Sequence, residues 1–215
     1  MTDFVERLVL KSTFTSDDLD FVSMQRGWVL HQHRLPEASA FVDGWLTLDG
    51  ETEIHQVDDA PIGMRYLTVR GSGSTEVAQH IRQDCDLWST AEALAALSTA
   101  STRDDLLPAV YAAALSATEQ DGEDVVRTFR TVANHSDADV RQSVVIAAGY
   151  FPHPALVELV HELRDSDQAD HIRQERPTPT RRPSHKPLSH GVSRSRLCPP
   201  PAETRAPFSV PPPLN

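Results

Sequence analysis

Ser136–Gln142 reads SDADVRQ, and Ser166–Gln174 reads SDQADHIRQ. Both copies open on Ser-Asp, continue with a second acid, and close on a branched apolar residue, Arg and Gln. Asp in such a turn can cap the helix that follows, because its carboxylate accepts from a free backbone N–H of the first turn. The apolar residue, Val140 or Ile172, then points at the preceding helix. The Arg, Arg141 or Arg173, is placed to bond a turn carboxylate of a neighbouring copy. The phrase therefore reads as the start of a repeated helical unit.

Working outward, Ser89–Arg173 reads as helices. Ser89-Thr90-Ala91-Glu92 has the Ser-x-x-Glu pattern of a capping box. Asp104-Asp105 precede Leu106-Leu107-Pro108, acids and a proline suited to a first turn. Val125, Val126, Phe129 and Val132 fall on one helical face, as do Leu156, Leu159, Val160 and Leu163. Asp121-Gly122, Asn134–Asp137, Pro152 with Pro154, and Asp165–Asp167 mark the corners. Leu107, Tyr111, Ala114 and Leu115 align with Val140, Val144, Ala147 and Ala148 at an offset of 33, and Ile172-Arg173 aligns with Val140-Arg141 at an offset of 32. A period in the low thirties with two helices per period is the mark of an α-solenoid.

On Asp139-Val140-Arg141, Ala147, Gly149, Leu156, Val160 and Leu163, the segment resembles HEAT-repeat proteins, especially the short bacterial repeats similar to those of phycobilin lyases. The resemblance covers residues 89–173. It implies a helical-repeat scaffold and leaves the activity open, since that scaffold serves binding, DNA repair and several enzymes. It also implies that outward positions of the second helices, Arg127, Arg130, Glu158 and Glu162, line the concave interaction surface.

Residues 1–88 read as an α+β module. Val29–Leu35 is strand-like. Trp45–Leu48, Asp49-Gly50 and Glu51–Val57 form a β-hairpin pattern. Met64–Arg70 is a further strand. A helix runs from Ser74 to about Cys85, and residues 3–11 and 16–24 are expected as short helices, the second capped by Ser16 or Asp17. The fold class is thus a small antiparallel sheet with helices, then an all-α HEAT-like solenoid, then a tail.

That tail, residues 174–215, holds 11 of the 16 prolines and reads as disordered, because proline removes backbone donors and few large apolar residues offset the ordering entropy. It carries seven Lys or Arg and two acids, leaving 13 bases and 29 acids in residues 1–173, a net charge of −16. Its Arg/Pro/Ser/His-rich composition is also what a shifted frame of a high-GC gene yields. The alternative frame after codon 174 is then expected to encode further repeats, and a gene sequence without them removes the idea.

An acidic body repels phosphate backbones, which places nucleic-acid binding last among the readings. No apolar run has membrane-spanning length, and the N-terminus lacks a basic-then-apolar leader order. Cys85 and Cys198 form neither a disulfide framework nor a zinc pattern, so the compartment reads as cytoplasmic. His31-x-His33 has a metal-compatible spacing, with His55 or Asp58-Asp59 as third-ligand candidates. A solvated polar face is the simpler reading, since a metal site needs three or more placed ligands. Cys85 between Asp84 and Asp86 reads as a structural thiol. No catalytic, cofactor or metal residue is assigned. The expectation is a non-catalytic protein–protein interaction or adaptor protein with a protein partner. An enzyme or lyase-type subunit with a small-molecule or metal site near the N-terminal sheet is the alternative.

Overall fold

The Asp49-Gly50 pair makes the tight turn that its spacing predicts. Gly50 takes a positive φ of 72°, a left-handed conformation open to glycine, and its N–H donates to Thr47 O at 2.8 Å. Asp49 Oδ1 accepts from the Thr47 hydroxyl and from the Glu51 N–H. The computed structural model, which describes residues 6–33 and 41–174, joins β3 (Phe41–Leu46) to β4 (Thr52–Asp59) at this turn. With β1 (Glu6–Leu10), β2 (Val29–Gln32) and β5 (Met64–Gly71) they form a five-stranded sheet of order β1-β5-β4-β3-β2. Every pairing is antiparallel. Residues 34–35 of the expected first strand, Cys198, and the tail from 175 onward lie outside the described residues.

The helix expected over 3–11 is corrected. Residues 6–10 are strand β1, in register with β5 from Glu6↔Val69 to Leu10↔Arg65. Leu8, Val9 and Leu10 are all buried, the first and third on one sheet face and the second on the other. A strand covered on both sides hides such a run, whereas a short helix hides only one stripe. The next helix, α1 (Ser16–Gln25), is capped by Thr15, not by Ser16 or Asp17. Thr15 and Asp18 complete a reciprocal capping box.

Leu8, Leu10, Trp45, Ile54, Leu67 and Val69 pack on one sheet face against α1 and α2 (Ser74–Asp84), which contribute Leu19, Val22, Val77 and Ile81. From the opposite face Val9, Met64 and Tyr66 enter the second core, shared with the helices that follow. Packing is therefore continuous across residues 88 and 89.

Those helices are α3 (Thr90–Thr99), α4 (Arg103–Ser116), α5 (Gly122–Val132), α6 (Ala138–Tyr150), α7 (Pro154–Ser166) and α8 (Asp170–Gln174), with a 3-10 turn at Glu119–Asp121. The capping box Ser89–Glu92 forms as its spacing predicts. Asp104 and Asp105 lie in the first turn of α4 as expected, but Thr102 caps the helix, so Pro108 falls beyond that turn, in the interior. The donor lost at Pro108 would have met Asp104 O, which lies at an exposed helix end. The helices neighbour one another in two sets, α3–α5–α7 and α4–α6–α8, and α4 also lies against β1 and β5.

Two bonds tie α6 to the sheet. Arg7 Nη1 donates to Tyr150 O at 2.8 Å, satisfying a carbonyl at the negative end of the α6 dipole. The Tyr150 hydroxyl donates to Asp59 Oδ2 at 2.6 Å. Among the described residues, no helix is long and apolar enough to cross a membrane.

Candidate functional site

Burial of Val125, Val126, Phe129 and Val132 fixes the rotation of α5, and burial of Leu156, Leu159, Val160 and Leu163 fixes that of α7. Arg127 and Arg130 are left outward on α5, Glu158 and Glu162 outward on α7, and all four are exposed. Neighbouring α5 and α7 thus carry a row of two guanidiniums beside a row of two carboxylates. Arg130 Nη1 and Glu162 Oε2 meet at 3.5 Å. They are 32 residues apart in the chain, the same offset as that between Val140-Arg141 and Ile172-Arg173. Arg127 pairs with Asp124 within its own helix. Exposed pairs of this kind contribute about 0–1 kcal/mol each, so the rows do little to hold the fold.

The repeated phrase makes its bonds in the turns that follow these two helices. Asp137 Oδ1 accepts from Asp139 N at 2.9 Å and caps α6 as its sequence predicts; Asp167 Oδ1 accepts from Ala169 N at 2.8 Å, in the turn before α8 rather than in its first turn. Arg141 Nη1 donates to His135 O and Ser136 O, and Arg173 Nη1 to Asp167 O. Each Arg therefore also bonds a carbonyl of its own turn, six residues back. Arg141 further reaches the next copy, where its Nε and Nη2 take the two oxygens of Asp167 at 2.7 and 2.9 Å. The Asp167 side chain is 3% exposed, and the Arg141 guanidinium beside it holds its carboxyl down at about 2. At the other end of the α4–α6–α8 set, Arg103 Nη2 lies 2.7 Å from Asp139 Oδ2.

The histidines are distributed differently from a metal site. His31 and His55 converge on Gly44: a Cβ there would lie 3.2 Å from both rings. Their ring centres are 6.4 Å apart. The approach depends on an irregularity in β2, where the register steps from Leu30↔Trp45 to Gln32↔Gly44 and leaves His31 as the additional residue. His33 turns elsewhere, with Nδ1 3.0 Å from Asp43 Oδ1. Asp59 accepts from Tyr150. Among the described residues no group of three or more His, Cys, Asp or Glu is arranged to hold a metal ion. His161 lies exposed on α7 beside Glu162. Cys85 is buried, and burial together with Asp84 pushes its thiol up to about 12, which disfavours the nucleophilic thiolate.

A groove of about 310 Å³ opens where the β4–β5 turn meets α4 and α6, with Pro61, Ile62, Leu107, Pro108 and Ile146 in its walls. No histidine lines it. Sequence reading misses both this groove and the Tyr150–Asp59 and Arg7–Tyr150 bonds, which join positions 91 and 143 residues apart. No protein-family model, curated protein or solved structure matches this chain.

Proposed function

We propose that this chain is a non-catalytic protein-binding scaffold whose helical half is a short HEAT-like solenoid. The partner docks on the outward rows of α5 and α7. The observation that supports this reading is the pairing of Arg130 with Glu162 across neighbouring helices one repeat apart. It aligns a basic row, Arg127 and Arg130, with an acidic row, Glu158 and Glu162. Such a surface favours a partner with the opposite order of charges, which sets orientation and association rate more than raw affinity. Rigidity comes from the buried Arg141–Asp167 contact, so a partner meets a preformed face and little ordering entropy is lost on binding.

The test is capture from the native host with the full chain, beside an Arg127→Glu/Arg130→Glu variant and a Glu158→Arg/Glu162→Arg variant. One protein retained near 1:1 by the parent and lost by both variants supports the proposal. A partner retained equally by all three places the contact elsewhere, and no stoichiometric partner removes the proposal as a stable complex.

A further inference from the structure

Among the described residues, five of the six large apolar side chains that stand exposed come from α1, β2 and the β3–β4 turn: Phe21, Met24, Val29, Leu30 and Leu48. Phe21 and Met24 are three apart on α1 and share a face. Val29 and Leu30 belong to β2, which follows α1 after a three-residue turn. Leu48 comes from the β3–β4 turn, and its Cδ1 lies 3.1 Å from where a Cβ on Gly27 would stand, which brings it against the α1–β2 connection. They flank the edge strand on both sides: Leu30 lies opposite Trp45 and Val29 opposite Leu46, so the two face opposite sides of the sheet. The sixth exposed residue, Val157, stands alone on α7.

The strand they flank is the end of the sheet. β2 is the terminal strand, and among the described residues its outer edge pairs with no strand. An edge of this kind offers a row of backbone donors and acceptors. Its near end, Val29-Leu30, carries neither charge nor proline. The irregularity at His31 interrupts the ladder, so regular pairing is confined to a short stretch.

We propose that the β2 edge, with the apolar side chains that flank it, is a docking site for a short extended peptide of a partner protein, added as a sixth strand. Charge selects the kind of peptide. Asp17 and Asp20 share the exposed face of α1 with Phe21 and Met24, at the spacing i, i+3, i+4 and i+7, and Asp49 adjoins Leu48. The fitting segment has apolar residues at alternate positions with Lys or Arg between them. A second copy of this chain fits poorly, because pairing β2 with β2 would set one acidic α1 against another on two acidic bodies. The site is separate from the α5 and α7 rows and stands without them.

Selection of phage-displayed random dodecapeptides on the full chain tests this. The expected enrichment is for alternating apolar and basic residues. The enriched peptide should bind at least tenfold more weakly to Leu30→Lys and to Asp17→Lys/Asp20→Lys, and unchanged to Arg127→Glu/Arg130→Glu. The same peptide N-methylated at alternate amides should lose at least tenfold on the unaltered chain, a readout independent of whether any variant folds. No enrichment, an acidic consensus, or equal binding of the N-methylated peptide overturns the proposal. So does light scattering that shows a dimer which Leu30→Lys converts to monomer, since the edge then belongs to a second copy.

Discussion

Arg141 holds Asp167 in a two-pronged grip that spans the junction between consecutive copies of one phrase, with the carboxylate almost wholly out of water. A buried pair of this kind is costly to break from one side only, because the remaining charge stays desolvated. Arg141→Ala should therefore destabilise the fold by about 3 kcal/mol, read as a fall in the urea midpoint followed by circular dichroism. A loss under 1 kcal/mol would show that water reaches Asp167 freely.

The same contact gives stability a pH dependence with a defined sign. The Asp167 carboxyl is lowered in the folded chain from its ordinary 3.8 to about 2. Its contribution is fully present above the unfolded value and is lost as pH falls from about 4 toward 2, on the order of 2 kcal/mol in all. Carboxylates at the surface are lowered too, Asp86 by Lys11 and Thr13, and Glu92 by its capping bonds with Ser89 and by Lys11. The diagnostic quantity is thus the difference between the parent and Asp167→Asn at pH 5, 4 and 3. That difference should shrink with falling pH, and a constant one would contradict the assignment.

Tyr150 couples the sheet to α6 through Asp59. Its own hydroxyl is held protonated by burial and by the Asp59 carboxylate that accepts from it. Tyr150→Phe removes the donor and leaves a carboxylate short of a partner, at a cost of about 1–3 kcal/mol. Asp59→Asn on the Phe background should add much less than it does alone. Additive losses in that double-mutant cycle would mean that the two side chains act separately.

Gly71 closes β5 at φ 116°, and a Cβ there would stand 2.0 Å from Glu51 O. The obstacle is backbone of the neighbouring strand, which cannot swing aside as a side chain would. Gly71→Ala should cost more than 2 kcal/mol and lower the yield of folded protein, from overpacking and from the disfavoured φ together. Thermal melting of the purified variant checks this, and an unshifted midpoint would count against the close approach.

Charge changes on the outward rows should behave in the opposite way. Arg130→Ala breaks an exposed contact with Glu162, so stability should change by less than about 0.5 kcal/mol while partner retention falls. Equal effects on both would make Arg130 a structural residue.

Legibility followed sequence distance. The Asp-Gly hairpin, the Ser89–Glu92 box and the cap at Asp137 each depend on residues within a few positions, and each was readable. The helical faces of α5 and α7 were readable because a 3.6-residue period repeats within one element. β1 was not, because ERLVL becomes a strand only when β5 lies beside it. Nothing near Tyr150 marks it as the partner of Asp59. The meeting of His31 with His55 needed a strand irregularity that no local pattern announces. Leu48, Val29 and Leu30 read as ordinary hairpin and strand positions until the sheet order placed β2 at an edge.

The antiparallel partnership of β1 with β5 also sets a schedule for synthesis. β1 leaves the ribosome before β5, which follows only about sixty residues later. At about 5–20 residues per second the nascent chain carries Leu8, Val9 and Leu10 uncovered for several seconds before the sheet can close around them. Arg7 waits longer still, since the carbonyl it bonds belongs to a residue 143 positions downstream. β1 is thus made well before the residues that bury and bond it.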